Sequence, residues 1–358
     1  MDASALRQRL PRAMDELRER LGQRIVGMDD VIEHVLYCLL CNGHGLIVGV
    51  PGLAKTLLCS SMAELLDLEF KRIQFTPDLM PSDIVGTETL VETPEGGRGF
   101  RFVHGPIFTN LLLADEINRT PPKTQAALME GMEERTVTSG GTLRDLPPPF
   151  IVLATQNPIE QEGTYELPAA QLDRFLVRIM VEYPDFDDER QIVRRTTAGT
   201  QGDLAPVLSR DEILALQKLV RELEVPADIP KYATALARAT RPGPDAPEGL
   251  GELVAWGVGP RAAQALVMAS KARALMAGRS KPTCADVRAV VPAVMGHRVI
   301  PSFTAAAQDV TAEEIIERVC NAVPAPDGWK PEPVEVNEGF LAGLLRRIRR
   351  EPASAGAR

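Results

Sequence analysis

Residues 46–56 read Leu-Ile-Val-Gly-Val-Pro-Gly-Leu-Ala-Lys-Thr. Leu46-Ile47-Val48 is a short apolar run with the character of a buried parallel strand. The run breaks at Gly49, and a helix is expected to begin near Lys55. Strand, glycine-bearing loop, Lys-Thr and helix, in that order, is what a phosphate cradle requires, because the first N–H groups of the helix converge on phosphate oxygens. In such a cradle the Lys55 ammonium neutralises the outer phosphates and the Thr56 hydroxyl sits on a magnesium ion. Pro51 has no N–H, so the donors must come from Gly52 through Thr56. The glycine usual before the lysine is replaced by Ala54. Alanine avoids positive φ, so Ala54 is expected at helical dihedrals, opening the helix. An ordinary Gly/Pro turn between strand and helix would look much the same, and the choice rests on the remainder of the chain.

A second component follows in Asn110-Leu111-Leu112-Leu113-Ala114-Asp115-Glu116, an apolar strand that ends in two carboxylates. Ligands of an open parallel sheet gather at the C-terminal ends of its strands. There Asp115 could hold a magnesium-bound water, and Glu116 could orient or deprotonate an attacking water. A third strand, Phe150 to Asn157, also ends in polar residues, and Asn157 can both donate and accept a hydrogen bond. Upstream, Ile25-Val26-Gly27-Met28-Asp29 precedes a helix expected over 30–41. Its apolar residues could grip an adenine ring, with Gly27 allowing close approach, or Asp29 could simply cap the helix.

Composition sets bounds on these readings. The 358 residues suggest about two domains, and 44% apolar residues can bury a real core. A net charge of −9 and a pI near 5.2 provide no global field for nucleic acid or anionic membranes. Of five cysteines, Cys38 and Cys41 form a C-x-x-C inside an apolar helical run with no second pair. They read as buried core thiols rather than a zinc site. The odd count and the lack of a signal peptide point to a reducing cytoplasm, and no apolar run approaches the ~20 residues of a membrane span.

The rest of the chain divides in two. Residues 2–20 read as a surface helix. Helix 55–67, strand 70–75, helix 122–134 and strand 175–182 complete an α/β alternation. Two hairpins interrupt it: Glu88–Val91 with Phe100–Val103, and 135–144 about the turn Ser139-Gly140-Gly141. From 186 onward the pattern is helices only, near 186–198, 210–222, 228–240, 260–277, 283–295 and 311–321. This divides the chain into an α/β core with its N-terminal helix (1–185), an all-helical domain (186–305) and a C-terminal extension (306–358). Phe340, Leu341, Leu344, Leu345 and Ile348 form an apolar stripe ending in arginines, expected to pack on the body or, as an alternative, to dock on a membrane surface.

Together these residues resemble a MoxR-type ATPase of the AAA+ superfamily over residues 22–300. Gly49-Val50-Pro51-Gly52-Leu53-Ala54-Lys55-Thr56 is similar to that family's phosphate loop, alanine included. Leu112 to Arg119 is similar to its Walker B segment, Ala154-Thr155-Gln156-Asn157-Pro158 to sensor 1, Gln171-Leu172-Asp173-Arg174-Phe175 to the arginine-finger segment, and Gly259-Pro260-Arg261-Ala262 to sensor 2. The resemblance implies a P-loop AAA+ parallel sheet of order 5-1-4-3-2 with a helix-2 insert, which the 76–106 hairpin matches, and a helical lid. It also implies ATP and Mg2+ as ligands. Val26, Gly27, Gly49, Pro51, Gly52, Leu53, Ala54, Lys55, Thr56 and Leu57 would bind the nucleotide, with Thr56 and Asp115 on the metal. Glu116 would activate water, Asn157 would position it, and Arg261 would reach from the lid to the γ-phosphate. Arg174 would act on a neighbouring subunit's ATP, so a closed homo-oligomeric ring, a hexamer, is implied. The implied work is remodelling of a client, often a von Willebrand factor A domain protein. Two alternatives stay open: a nucleic-acid motor, which the nearly neutral hairpin tip at 92–99 does not favour, and a nucleotide-dependent structural ring.

Overall fold

The structure, a computed structural model, describes residues 3–92, 98–159, 163–197 and 204–326. Helices α1 (Ala3–Leu21) and α2 (Asp29–Leu40) precede strand β1 (Gly45–Gly49). Next come α3 (Lys55–Leu65), β2 (Phe70–Gln74), a short α4 (Pro81–Val85) and the hairpin of β3 (Gly86–Glu92) and β4 (Arg98–His104). β5 (Leu111–Asp115), α5 (Pro122–Glu134), the hairpin of β6 (Thr136–Ser139) and β7 (Thr142–Asp145), β8 (Ile151–Gln156), α6 (Ala169–Leu172) and β9 (Val177–Val181) complete the α/β part. It is followed by α7 (Phe186–Thr197), α8 (Arg210–Glu222), α9 (Asp228–Ala239), β10 (Val254–Trp256), α10 (Pro260–Met276), α11 (Cys284–Met295), β11 (Ile300–Pro301), α12 (Phe303–Ala307) and α13 (Ala312–Ala322).

Five strands form one parallel sheet in the order β2-β5-β8-β1-β9. Counted along the chain without the hairpins, that is the 5-1-4-3-2 order expected. Alternation explains why these strands are apolar almost throughout. Ile47, Leu111, Leu113, Ile151, Leu153, Val177 and Ile179 face one side, where α2, α3 and the C-terminal helices pack. Leu46, Leu112, Ala114, Val152 and Ala154 face the other, against α5 and the segment around Phe75 and Phe175.

The core on the first face runs without a break into the lid. α1 contributes Leu6, Leu10, Met14, Leu17 and Leu21, so the expected surface helix is amphipathic and its apolar stripe is buried. α13 buries Ile315, Ile316 and Val319 in the same cluster, beside α9 and α11. The described start of the C-terminal extension thus shares the lid's core.

Two expectations are corrected. The lid is not purely helical, since β10 and β11 pair as an antiparallel ribbon. Strands of three and two residues are too short to show periodicity. Asp29 does not cap α2 either. Met28 holds the N-cap position and Asp29 lies in the first turn, where a carboxylate still favours the helix dipole. Cys38 and Cys59 are buried, and none of the five cysteines is in a disulfide. Burial pushes the Cys41 and Cys59 thiols up to about 12. The hairpin tip 93–97 and the apolar stripe at 340–348 lie outside the described residues.

Candidate functional site

The phosphate loop leaves β1 at Gly49, which lies opposite Val181 of β9. A Cβ on Gly49 would come within 2.5 Å of the Val181 carbonyl oxygen, so the strand end tolerates no side chain there. Leu53 and Leu57 pack on the core, while Gly52 and Thr56 stay exposed at the start of α3. Ala54 is not helical as expected. It caps α3 at φ 50°, ψ 22°, in the left-handed region, at a strain of roughly 1–2 kcal/mol. The Ala54 carbonyl nevertheless accepts the Leu58 N–H at 2.9 Å. Loop closure onto the helix thus overrides alanine's preference. Lys55 Nζ donates to the Gly49 carbonyl at 2.6 Å. Burial lowers its pKa, and Asp115 and Glu116 push it back up.

Asp115 and Glu116 stand at the C-terminal end of β5, between β2 and β8. Thr155 on β8 ties them together: its hydroxyl donates to Asp115 Oδ1 at 2.6 Å and accepts the Glu116 N–H at 2.8 Å. From β2, Arg72 donates to Asp115 Oδ2 through Nε at 3.1 Å and Nη2 at 2.6 Å. Gln74 Nε2 donates to Glu116 Oε2 at 2.7 Å, and Arg119 Nε lies 3.2 Å from the same oxygen. Glu116 itself is at φ 56°, a second non-glycine residue held in the left-handed region at this end of the sheet. Such strain persists where surrounding contacts over-determine it.

Asn157 follows β8 and is buried. Its Oδ1 accepts the Ile159 N–H at 3.1 Å, and its Nδ2 has no partner among the described residues. A buried amide donor without a partner is costly. Beside a lysine, a threonine hydroxyl and two carboxylates, it fits a ligand oxygen. Above Gly52 an added Cβ would meet nothing within 4 Å, so the loop backbone is open to an approaching phosphate. The residues present therefore suit a magnesium–nucleotide ligand.

Arg174 and Arg261 lie elsewhere. Both line a hollow with Asn42, Gly43 and His44, the residues leading into the N-terminal end of β1. The phosphate loop leaves the other end of that strand, about 16 Å away for five residues. Arg261 was expected over its own γ-phosphate. Instead its Nη2 donates to Glu133 Oε1 at 2.6 Å. Arg174 reaches the other oxygen of that carboxylate, Nη2 to Oε2 at 2.7 Å, and donates to the Met129 carbonyl at 2.6 Å. The cause is the lid's seat: α10 packs against α1, α2, α8 and α9, and α11 against β9, which carries Arg261 to the sheet's opposite end.

Gly27, at φ 71°, lines a hollow of about 720 Å³ with Met28, His34, Arg178, Met180 and Tyr183. An added Cβ would meet Asp188 Oδ2 at 2.2 Å. The close approach that Gly27 permits is thus to α7. Val26 is half-buried and does not line this hollow.

Arg72, Gln74 and Glu133 had no assigned role in the sequence. Arg72 and Gln74 are two apart on a strand, so their shared side is legible once the neighbour β5 is known. Glu133 is one of several acids on α5 and carries no sequence signal. Thr155 stood in a recognised segment without a role.

Residues 44–177 match the family model described as ATPase family associated with various cellular activities (AAA). Residues 251–319 match that of the AAA lid domain. Chaperone MoxR1 of Mycobacterium tuberculosis is 42% identical over 307 residues, covering 84% of this chain and 79% of the relative. Protein MoxR of Methylorubrum extorquens is 31% identical over 333 residues, covering 88% and 95%. A solved structure from Cytophaga hutchinsonii, provisionally named an ATPase, superposes with a TM-score of 0.83 at 37% identity, covering 90% of this chain and 97% of its own. With the five-strand order, the lid and these relatives in agreement, the chain belongs to the MoxR family of AAA+ ATPases.

Proposed function

We propose that this protein hydrolyses ATP in a ring of identical subunits, a hexamer, and uses the cycle to remodel a partner protein. The observation that carries the reading is the separation of two half-sites. Lys55, Thr56, Asp115, Glu116 and Asn157 belong to one end of the sheet, while Arg174 and Arg261 meet at the other. Neither arginine can serve its own phosphate loop from there. A head-to-tail neighbour supplies what each subunit lacks, and repetition of that contact closes a ring.

In this reading Gly52 through Thr56 bind the phosphates by backbone N–H groups, and Lys55 turns from the Gly49 carbonyl to the outer phosphates. Thr56 and Asp115 would hold magnesium, which would supply positive charge against the phosphate oxygens when bound. Glu116, oriented by Thr155 and Gln74, takes a proton from the attacking water, and the free Nδ2 of Asn157 positions that water. Arg174 and Arg261 stabilise charge on the neighbour's transferring phosphoryl group. On this reading Arg261 acts across the subunit interface rather than within its own subunit.

The name of the mycobacterial relative supports a chaperone-like role. Leu90, Phe100 and Leu143 stand exposed on the two hairpins and offer an apolar surface to a client. A von Willebrand factor A domain protein is the first client to test, on the family resemblance. Among the described residues no helix is long and apolar enough to cross a membrane. Five cysteines without a disulfide fit a reducing compartment such as the cytoplasm. We divide the chain into a core over 1–185 and a lid extended to Ala322.

Arg174→Ala tests the reading. ATP binding, followed with a fluorescent analogue, stays within about threefold, while steady-state phosphate release falls by ~10³-fold or more. A variant that hydrolyses at the normal rate overturns the trans assignment.

A further inference from the structure

We infer that Glu133 is a positioning residue that holds Arg174 and Arg261 as a two-pronged clamp for the phosphate of the neighbouring subunit, an inference that rests on the trans reading above. One carboxylate on α5 bonds to both guanidinium groups, each through a different oxygen. The two arginines come from separate parts of the chain, one from the turn before β9 and one from the first turn of α10. Without a shared counter-charge, two guanidinium groups in one hollow repel and splay. With it, one negative charge lies between two positive ones, and the trio keeps a net positive charge toward an anion.

The backbone behind Arg174 is fixed independently. Arg298, buried just after α11, donates through Nε to Asp173 Oδ1 at 2.8 Å and through Nη1 to the Leu176 carbonyl at 3.2 Å. It also donates to the Asp173 carbonyl at 3.1 Å, and His297 Nε2 lies 3.0 Å from the Phe175 carbonyl. Lid and core therefore already agree on where the finger's main chain lies. What remains free is the direction of the side chain, and Glu133 with the Met129 carbonyl supplies it. Each guanidinium keeps further N–H donors, since a guanidinium carries five and Arg174 spends one on Met129 and one on Glu133.

Stability is not what this arrangement serves. The three side chains are 29%, 34% and 50% exposed for Arg174, Glu133 and Arg261, and pairs so exposed contribute little to folding. Placement is different, because an error of about 1 Å at a reacting centre can cost ~10²-fold in rate.

The test uses the full chain with Glu133→Gln, Glu133→Ala and Glu133→Asp. The first two are expected to lower kcat by roughly 10–100-fold, with KM for ATP within about threefold and the melting temperature unmoved. Glu133→Asp, which keeps the charge, recovers part of the loss. Adding Glu133→Gln to the double variant Arg174→Ala, Arg261→Ala lowers kcat no further. In mixed rings, Glu116→Gln subunits, which keep intact arginines, raise the turnover of Glu133→Gln subunits. An unchanged kcat in Glu133→Gln overturns the inference, and so does a raised one, which would make Glu133 a restraint rather than a support. Arg174→Ala mixed with Glu116→Gln is the control. If it is not complemented, the trans reading fails; if it is, and Glu133→Gln turns over normally, only the role of Glu133 fails.

Discussion

Ala54 and Glu116 occupy left-handed backbone that neither residue prefers, and both stand beside Lys55 in the candidate site. The motif containing each was readable from sequence, but the dihedrals were not, because local preference predicts the opposite for alanine. Thr155 was likewise visible as a letter and invisible as a function. Its hydroxyl orders the Asp115 carboxylate and the Glu116 main chain at once, donating to the one and accepting from the other. Valine has the same shape without the hydroxyl. Thr155→Val is therefore expected to lower kcat by ~10–100-fold, the scale of losing a group that orients metal-site ligands, with little change in thermal unfolding. Phosphate release measured beside a melting curve separates the two effects.

The long helices were legible to within a residue or two, since each carries an apolar stripe or a cap, whereas the five-residue α4 and α12 are too short to show a period and were missed. α8 opens with a reciprocal capping box between Ser209 and Glu212, and α11 with one between Thr283 and Asp286. The hairpins were legible as alternating pieces, but their partnership was not. The Arg144 guanidinium of β7 lies 3.9 Å from the Phe102 ring centroid of β4, and Phe102 in turn meets His104 and Phe108 edge-on. The two hairpins thus touch as one unit beside the core. Such a contact is worth about 0.5–1 kcal/mol at an exposed site. Arg144→Ala should leave basal ATP turnover within twofold while amide exchange across 86–92 and 98–104 speeds up severalfold. Unaltered exchange would mean that the stack does not hold the hairpin.

At the scale of the whole molecule, two buried histidines join distant parts. His44 Nδ1 accepts the Val152 N–H at 2.9 Å, and its Nε2 lies 3.0 Å from the Met132 carbonyl, an arrangement that suits only the neutral ring. His297 binds the lid to the Phe175 carbonyl. Burial, above all, holds both rings well below their ordinary pKa of 6.5. The unfolded chain takes up these protons below pH 6.5 and the folded one does not. Their contribution is thus complete above that pH and declines as pH falls from there toward the depressed folded values. The slope is up to about 1.4 kcal/mol per pH unit for each ring. Denaturant unfolding between pH 5 and 7.5 checks this, and His44→Gln should flatten the slope by about half. The sequence by itself determined the sheet, its strand order through resemblance, and the phosphate-loop half of the candidate site, because those depend on apolar alternation and on motifs short enough to be contiguous. Only the tertiary structure decided where Arg261 goes. Its position follows from how the lid's apolar faces bury against α1, α2 and β9, a packing choice made between segments far apart in the chain. That choice brought Arg261 to Glu133 and Arg174, at the end of the sheet opposite Lys55.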